Sequence, residues 1–203
     1  MGTLKKGLIA SLSLAVSLSA LSTSAFAEEI HVENGKTITT FDAPAELEDF
    51  KKEFGELDNA ELTSVTVVRN NEDVINDMMY SPAAIYSIKN VSKTRGCGRN
   101  EIRRSTYLPP GGTMTVSTGM EATVTASGGI SKGAVASNLG FSLNKKYSIS
   151  DAQNISVPNG KRKTVKAFAE LDIWNYSVHL GPVKTGSGSA TKPVGVCFAQ
   201  YTS

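Results

Sequence analysis

From Thr113 to Ser150 apolar and polar residues alternate along two successive stretches. In the first, Met114, Val116, Met120, Ala122, Val124 and Ala126 take the even positions, and Thr115, Ser117, Gly119, Glu121, Thr123, Thr125 and Ser127 the odd ones. In the second, Val135, Leu139, Phe141, Leu143, Tyr147 and Ile149 are odd, against Ala136, Asn138, Gly140, Ser142, Asn144, Lys146 and Ser148. Successive side chains of a strand point to opposite faces, so the pattern predicts one long amphipathic β-hairpin, turning around Ile130-Ser131-Lys132. Arms of about 15 residues would each reach roughly 50 Å, where a usual strand has about five or six residues. Such a hairpin belongs to an extended sheet or to an element that leaves its sheet for a membrane, which a strand of about 9–11 residues can span.

The surrounding sequence also reads as β. Ile85–Val91, Ile102–Leu108, Ile155–Val157, Thr164–Ala169, Ile173–Leu180 and Val194–Tyr201 are candidate strands. Pro109-Pro110-Gly111-Gly112, Gly128-Gly129, Pro158-Asn159-Gly160 and Gly186-Ser187-Gly188-Ser189 supply turn chemistry between them. The expected fold is mainly β: an antiparallel sandwich or elongated sheet with a long amphipathic hairpin, plus a short N-terminal helix. That helix is announced by Asp42 as a cap, Pro44 in the first turn, Leu47, Phe50 and Phe54 at helical spacing, and Gly55 at its end. Ser64–Arg69 reads as a strand, and Asn70–Asp77 as a loop or loose helical turn.

The first residues have the form of an export signal. Lys5 and Lys6 precede an apolar, Ser-rich run from Gly7 to Leu21, and Ala25-Phe26-Ala27 offers the small residues a signal peptidase accepts. The run is shorter than the roughly 20 residues a membrane-spanning helix needs, so cleavage after Ala27 and a secreted protein are expected. Export would place Cys97 and Cys197 where a disulfide persists. The competing reading is a reactive thiol, since arginines flank Arg95-Gly96-Cys97-Gly98-Arg99 and cations lower a thiol pKa. A cysteine nucleophile also needs a histidine base, and the chain has only His31 and His179.

The net charge of +2 conceals a division. Residues 28–80 hold 14 Asp and Glu against 4 Lys and Arg, and residues 81–203 hold 5 against 15. The expected organisation is a signal peptide over 1–27, an acidic N-terminal segment over 28–80 and a basic all-β domain over 81–203. Lys145, Lys146, Lys161, Arg162, Lys163 and Lys166 form a candidate surface for anionic lipid or cell-wall polymer, masked by the acidic segment until that is removed. Alternatively, the two charges neutralise each other across one folded surface.

Motifs for catalysis are missing. No H-E-x-x-H or C-x-x-C occurs, and Gly96-Cys97-Gly98 lacks the rest of a nucleotide fingerprint. His179 follows Trp174, Tyr176 and Val178 on one alternating strand and falls on the face opposite to them. Arg95, Arg99, Arg103 and Arg104 offer charge to nucleic acid without a reader motif. No cofactor, metal, nucleic-acid partner or enzymatic activity is expected.

Two resemblances add to this reading. Pro110-Gly111-Gly112-Thr113-Met114-Thr115-Val116, Gly140–Ser150 and Lys192-Pro193-Val194-Gly195-Val196-Cys197-Phe198 resemble small uncharacterised secreted proteins of Gram-positive bacteria, over about half the chain. The Ser/Thr-rich arms Thr113–Ser127 and Val135–Ser150 resemble the hairpin of aerolysin-type pore-forming toxins. That second resemblance implies strands that insert into a membrane, with Met114, Val116, Met120, Val124, Val135, Leu139, Phe141 and Leu143 on the lipid side. A secreted, non-enzymatic β-protein that binds at or near the cell surface is therefore expected, with a pore-forming protein as the alternative and a secreted hydrolase as a more distant one.

Overall fold

A computed structural model describes residues 28–71 and 85–203. The expected signal sequence and most of the loop expected at Asn70–Asp77 lie outside the described residues. The protein is mainly β and antiparallel. In chain order its elements are β1 (Glu28–Glu33), β2 (Lys36–Phe41), α1 (Pro44–Phe54), β3 (Glu61–Asn70), β4 (Tyr86–Tyr107), β5 (Gly111–Glu121), β6 (Thr123–Ala126), α2 (Lys132–Asn138), β7 (Lys146–Ser156), β8 (Lys163–Leu180) and β9 (Val183–Thr202). One sheet runs β1-β2-β3-β9-β8-β4 with β6 also on β9, and β5 and β7 pair only with each other.

The N-terminal part is built into this sheet. Residues 28–41 carry no predicted strand, yet they form a hairpin around Asn34-Gly35, whose φ values of +50° and +73° suit a two-residue turn. Helix α1 starts at Pro44, as expected, but its N-cap is Ala43 and makes no side-chain capping bond, so Asp42 is not the cap. Phe41, Phe50, Phe54 and Phe168 follow one another at 5.2, 5.7 and 4.4 Å between ring centroids. They hold α1 to one face of the sheet, above Val65, Ala199 and Tyr201. On this face the Cys97–Cys197 disulfide joins β4 to β9. The opposite face carries Val165, Ala167, Ala169, Val196 and Phe198, covered by Met114, Val116, Ile149 and Ile155 of the β5–β7 hairpin.

An amphipathic hairpin thus exists, with bounds different from those expected. The first arm breaks at Ala122: β5 pairs with β7, whereas β6 crosses to β9. The second arm starts at Lys146, and Val135 lies in α2 with Leu139, Phe141 and Leu143 in the segment that follows. Val135, Leu139, Phe141 and Leu143 are therefore not hairpin residues, and Val124 belongs to β6. The physical reason is that Val135 and Leu139, four apart, satisfy helical spacing as well as a period of two. Ser131 supplies the cap by accepting from the Ala134 N–H, and Val135 and Ala136 are buried.

The Gly/Ser run is strand and not turn. Gly186-Ser187-Gly188-Ser189 lies inside β9, and the chain turns at Gly181-Pro182. Here the glycines allow close approach. A Cβ on Gly188 would strike the Thr125 carbonyl and the Tyr176 ring, and one on Gly186 would strike the backbone of Ser127 and Gly128. Gly188→Val is expected to destabilise the protein by about 2 kcal/mol through overpacking, read as a lower urea midpoint. Reduction of Cys97–Cys197 opens a loop of 100 residues. It is expected to cost about 2–4 kcal/mol, checked by urea unfolding with and without reductant.

Candidate functional site

Strand register brings charge together from distant parts of the chain. Across the sheet, Arg95 of β4 lies opposite Asp172 of β8, which lies opposite Lys192 of β9. Lys93 lies opposite Trp174. Another row sets Arg69 of β3, Gly195 of β9 and Glu170 of β8 side by side. Because Gly195 has no side chain, Arg69 reaches over β9 to pair with Glu170.

The segment from α2 to the start of β7 folds over these rows and encloses a cleft of about 970 Å³. Arg69, Lys93, Arg95, Lys145 and Lys192 face it, with Asp172 as its carboxylate among the described lining residues. Its floor is aromatic. Phe141 stacks on Trp174 at 5.3 Å, the Lys93 ammonium lies 5.0 Å from the Trp174 ring centre, and Tyr147 is buried. The Tyr147 hydroxyl donates to the Ser142 carbonyl and accepts from the Ser142 N–H, at 3.1 and 3.0 Å, which fixes the ring. Half-buried Leu139 and Leu143 make an apolar wall.

Three of the five cations are paired from below, by two carboxylates. Asp172 accepts from Arg95 at 2.8 Å and pairs with Lys93 at 2.7 Å. Glu170 is almost fully buried, and burial pushes its carboxyl above the ordinary range, with Arg69 opposing the shift. A pKa raised by folding means the fold favours the protonated form, so this contribution to stability is present at low pH and is lost as pH rises through the folded value. Glu170→Gln is expected to remove that loss. Its urea midpoint should fall less than that of the parent between pH 4.5 and neutrality.

The six cations singled out in the sequence do not form one surface. Only Lys145 lines the cleft, and Lys146 is exposed beside it. Lys161, Arg162 and Lys163 lie beyond the other end of the hairpin, where Gly111 faces Ser156, about ten rungs or roughly 35 Å away. Lys166 is not a surface cation. It is buried, its ammonium donates to the Phe54 carbonyl and sits 4.8 Å from the Tyr201 ring centre, and burial followed by Arg104 lowers its pKa. Of the four arginines weighed for nucleic acid, Arg95 lines the cleft, Arg103 donates to the Thr115 carbonyl and Arg104 pairs with Glu101.

Sequence reasoning did not find Arg69, Lys93 or Lys192 as site residues, nor Trp174 as the cleft floor. His179 contacts Ser177 Oγ through Nε2 at 3.1 Å, and its Nδ1 is buried with no partner among the described residues. Ser177 itself donates to the Lys89 carbonyl and accepts from Asn90. No family model and no curated protein matches this chain.

Proposed function

We propose that this chain is an exported, non-enzymatic binding protein that holds an anionic polymer of the cell surface in the cleft between β4, β9 and the α2–β7 segment. The observation that carries this reading is the charge of the cleft: among the described residues, five cations converge on it from β3, β4, β9 and the α2–β7 segment, over one lining carboxylate. Its shape favours a chain in solution over a bilayer. Phe141, Trp174 and Tyr147 are each under one-tenth exposed, and the exposed large apolar residues, among them Ile85, Leu180 and Val183, do not line it. Among the described residues, the cleft therefore presents no exposed large apolar side chain as an anchor for lipid. Titration with poly(glycerol phosphate) should show binding that weakens steeply between low and moderate salt, as expected when several cations neutralise a polyanion. The double reversal Arg95→Glu with Lys192→Glu should lose it, and unchanged binding would defeat the reading.

A second reading, membrane insertion, is favoured by one feature of the hairpin. Strands β5 and β7 form a sheet of their own, each with 11 residues, and buried or half-buried positions alternate with exposed ones along all of β7 and from Thr113 onward in β5. Eleven residues are about what a tilted membrane strand needs. Insertion predicts dye release from anionic vesicles at acid or neutral pH, before or after proteolysis. A complete lack of release under all these conditions would sink it.

A further inference from the structure

We infer that Lys145 and Lys192 form a phosphate clamp over Tyr147, which takes one phosphodiester group of a polymer lying along the cleft. This rests on the reading of the cleft as an anion site and goes on to name the group and its ligands. Arg69 is engaged by Glu170, and Lys93 and Arg95 by Asp172. Lys145 and Lys192 form no ion pair among the described residues. Both ammonium groups instead sit over the same ring, 5.5 and 5.1 Å from the Tyr147 centroid. The ring's π-system draws each of them in, while the two like charges held by one ring repel each other. A bound anion between them relieves that repulsion.

The type of cation points to the type of anion. Arginine presents a planar fork that suits a carboxylate, and both arginines of the cleft already hold carboxylates. The two uncommitted cations are lysines, compact point charges that suit the tetrahedral and charge-dense oxygens of phosphate. Geometry holds one of them in place. Lys145 is two residues from Tyr147, whose hydroxyl is locked to Ser142, and Lys192 comes from β9 on the neighbouring sheet. Asn144, Ser142 and Ser148 also line the cleft and offer donors to the remaining phosphate oxygens. Leu139, Leu143 and Pro193 border it as well, where the carbon backbone of a polyol chain would lie.

The test is calorimetric titration at low salt with four probes: poly(glycerol phosphate), inorganic phosphate, polygalacturonate and phosphatidylglycerol vesicles. Poly(glycerol phosphate) is expected to bind, with inorganic phosphate competing for it and polygalacturonate binding at least tenfold more weakly. Lys145→Gln with Lys192→Gln should weaken polymer binding at least tenfold, and Lys161→Gln with Lys163→Gln should leave it within twofold. Lys145→Gln alone, at an exposed position, should retain the fold and show a weakening of its own. If the Lys145/Lys192 pair binds like the parent while Lys93→Gln with Arg95→Gln loses binding, the clamp is wrong and the cleft reading stands. Failure of the unaltered protein to bind any of the four probes overturns both. Equal binding of polygalacturonate overturns the assignment to phosphate, and binding to vesicles alone overturns the polymer in favour of a lipid headgroup.

Discussion

The β4–β8 ladder closes residues 108–162 into a loop whose ends lie side by side, with Tyr107 opposite Lys163 at one end of the pairing and Tyr86 opposite Leu180 at the other. A loop of that length cannot stay in solvent with Met114, Val116, Ile149 and Ile155 in its sequence, so it folds back on the sheet that closed it. The apolar side of the β5–β7 hairpin supplies one layer of core, and Val165, Ala167 and Ala169 of β8 supply the other. Strand β8 is buried on both faces, because Phe168 points the other way into the aromatic run that seats α1. The disulfide fastens β4 to β9 across this doubly covered strand. Removing the β4–β8 pairing would release the hairpin, the disulfide's anchor and one wall of the cleft together.

How much of this could be read in the sequence depends on the range of the interaction that decides each element. Alternation is local, and Met114, Val116, Tyr147, Ile149, Trp174, Tyr176 and Val178 are buried on the faces it predicts. The helix of residues 132–138 was illegible because Val135 and Leu139 suit two periods, and packing beneath α2 chose between them. The turn at Asn34-Gly35 was present as a dipeptide, but its strands contain only Ile30, Val32 and Ile38 as aliphatic residues, too few to mark a buried face. Gly186 and Gly188 mimicked a loop because their reason for being glycine lies across space, in Ser127, Gly128, Thr125 and Tyr176.

The cleft was less legible than the fold for the same cause. Arg69, Lys93, Arg95 and Lys192 come from three strands, and only the register of β3, β9, β8 and β4 sets them around Asp172 and Glu170. Lysines adjacent in sequence proved a poor guide. Lys161, Arg162 and Lys163 cluster along the chain and lie far from the site, whereas Lys192, isolated between Thr191 and Pro193, stands at its centre. Among the described residues, the ion pairs that join the two parts link cations of the acidic segment to carboxylates of the basic part, Lys36 with Asp151 and Arg69 with Glu170, the reverse of what the bulk charges suggest. Bulk charge asymmetry therefore says little about which groups meet.

The two readings of function are physically coupled through Tyr147. This residue pairs with Met120 in the hairpin and is also the ring on which Lys145 and Lys192 converge. Were the hairpin to leave the sheet, Tyr147 and Lys145 would go with it while Lys192 stayed on β9, and the cleft would cease to exist. An anion bound between the two lysines binds only the closed arrangement, so by linkage it holds the hairpin down by RT ln(1 + c/Kd), with c the free anion concentration. Binding and insertion are in this sense opposed. A ligand that fills the cleft stabilises the packed sheet, and insertion would first have to displace that ligand.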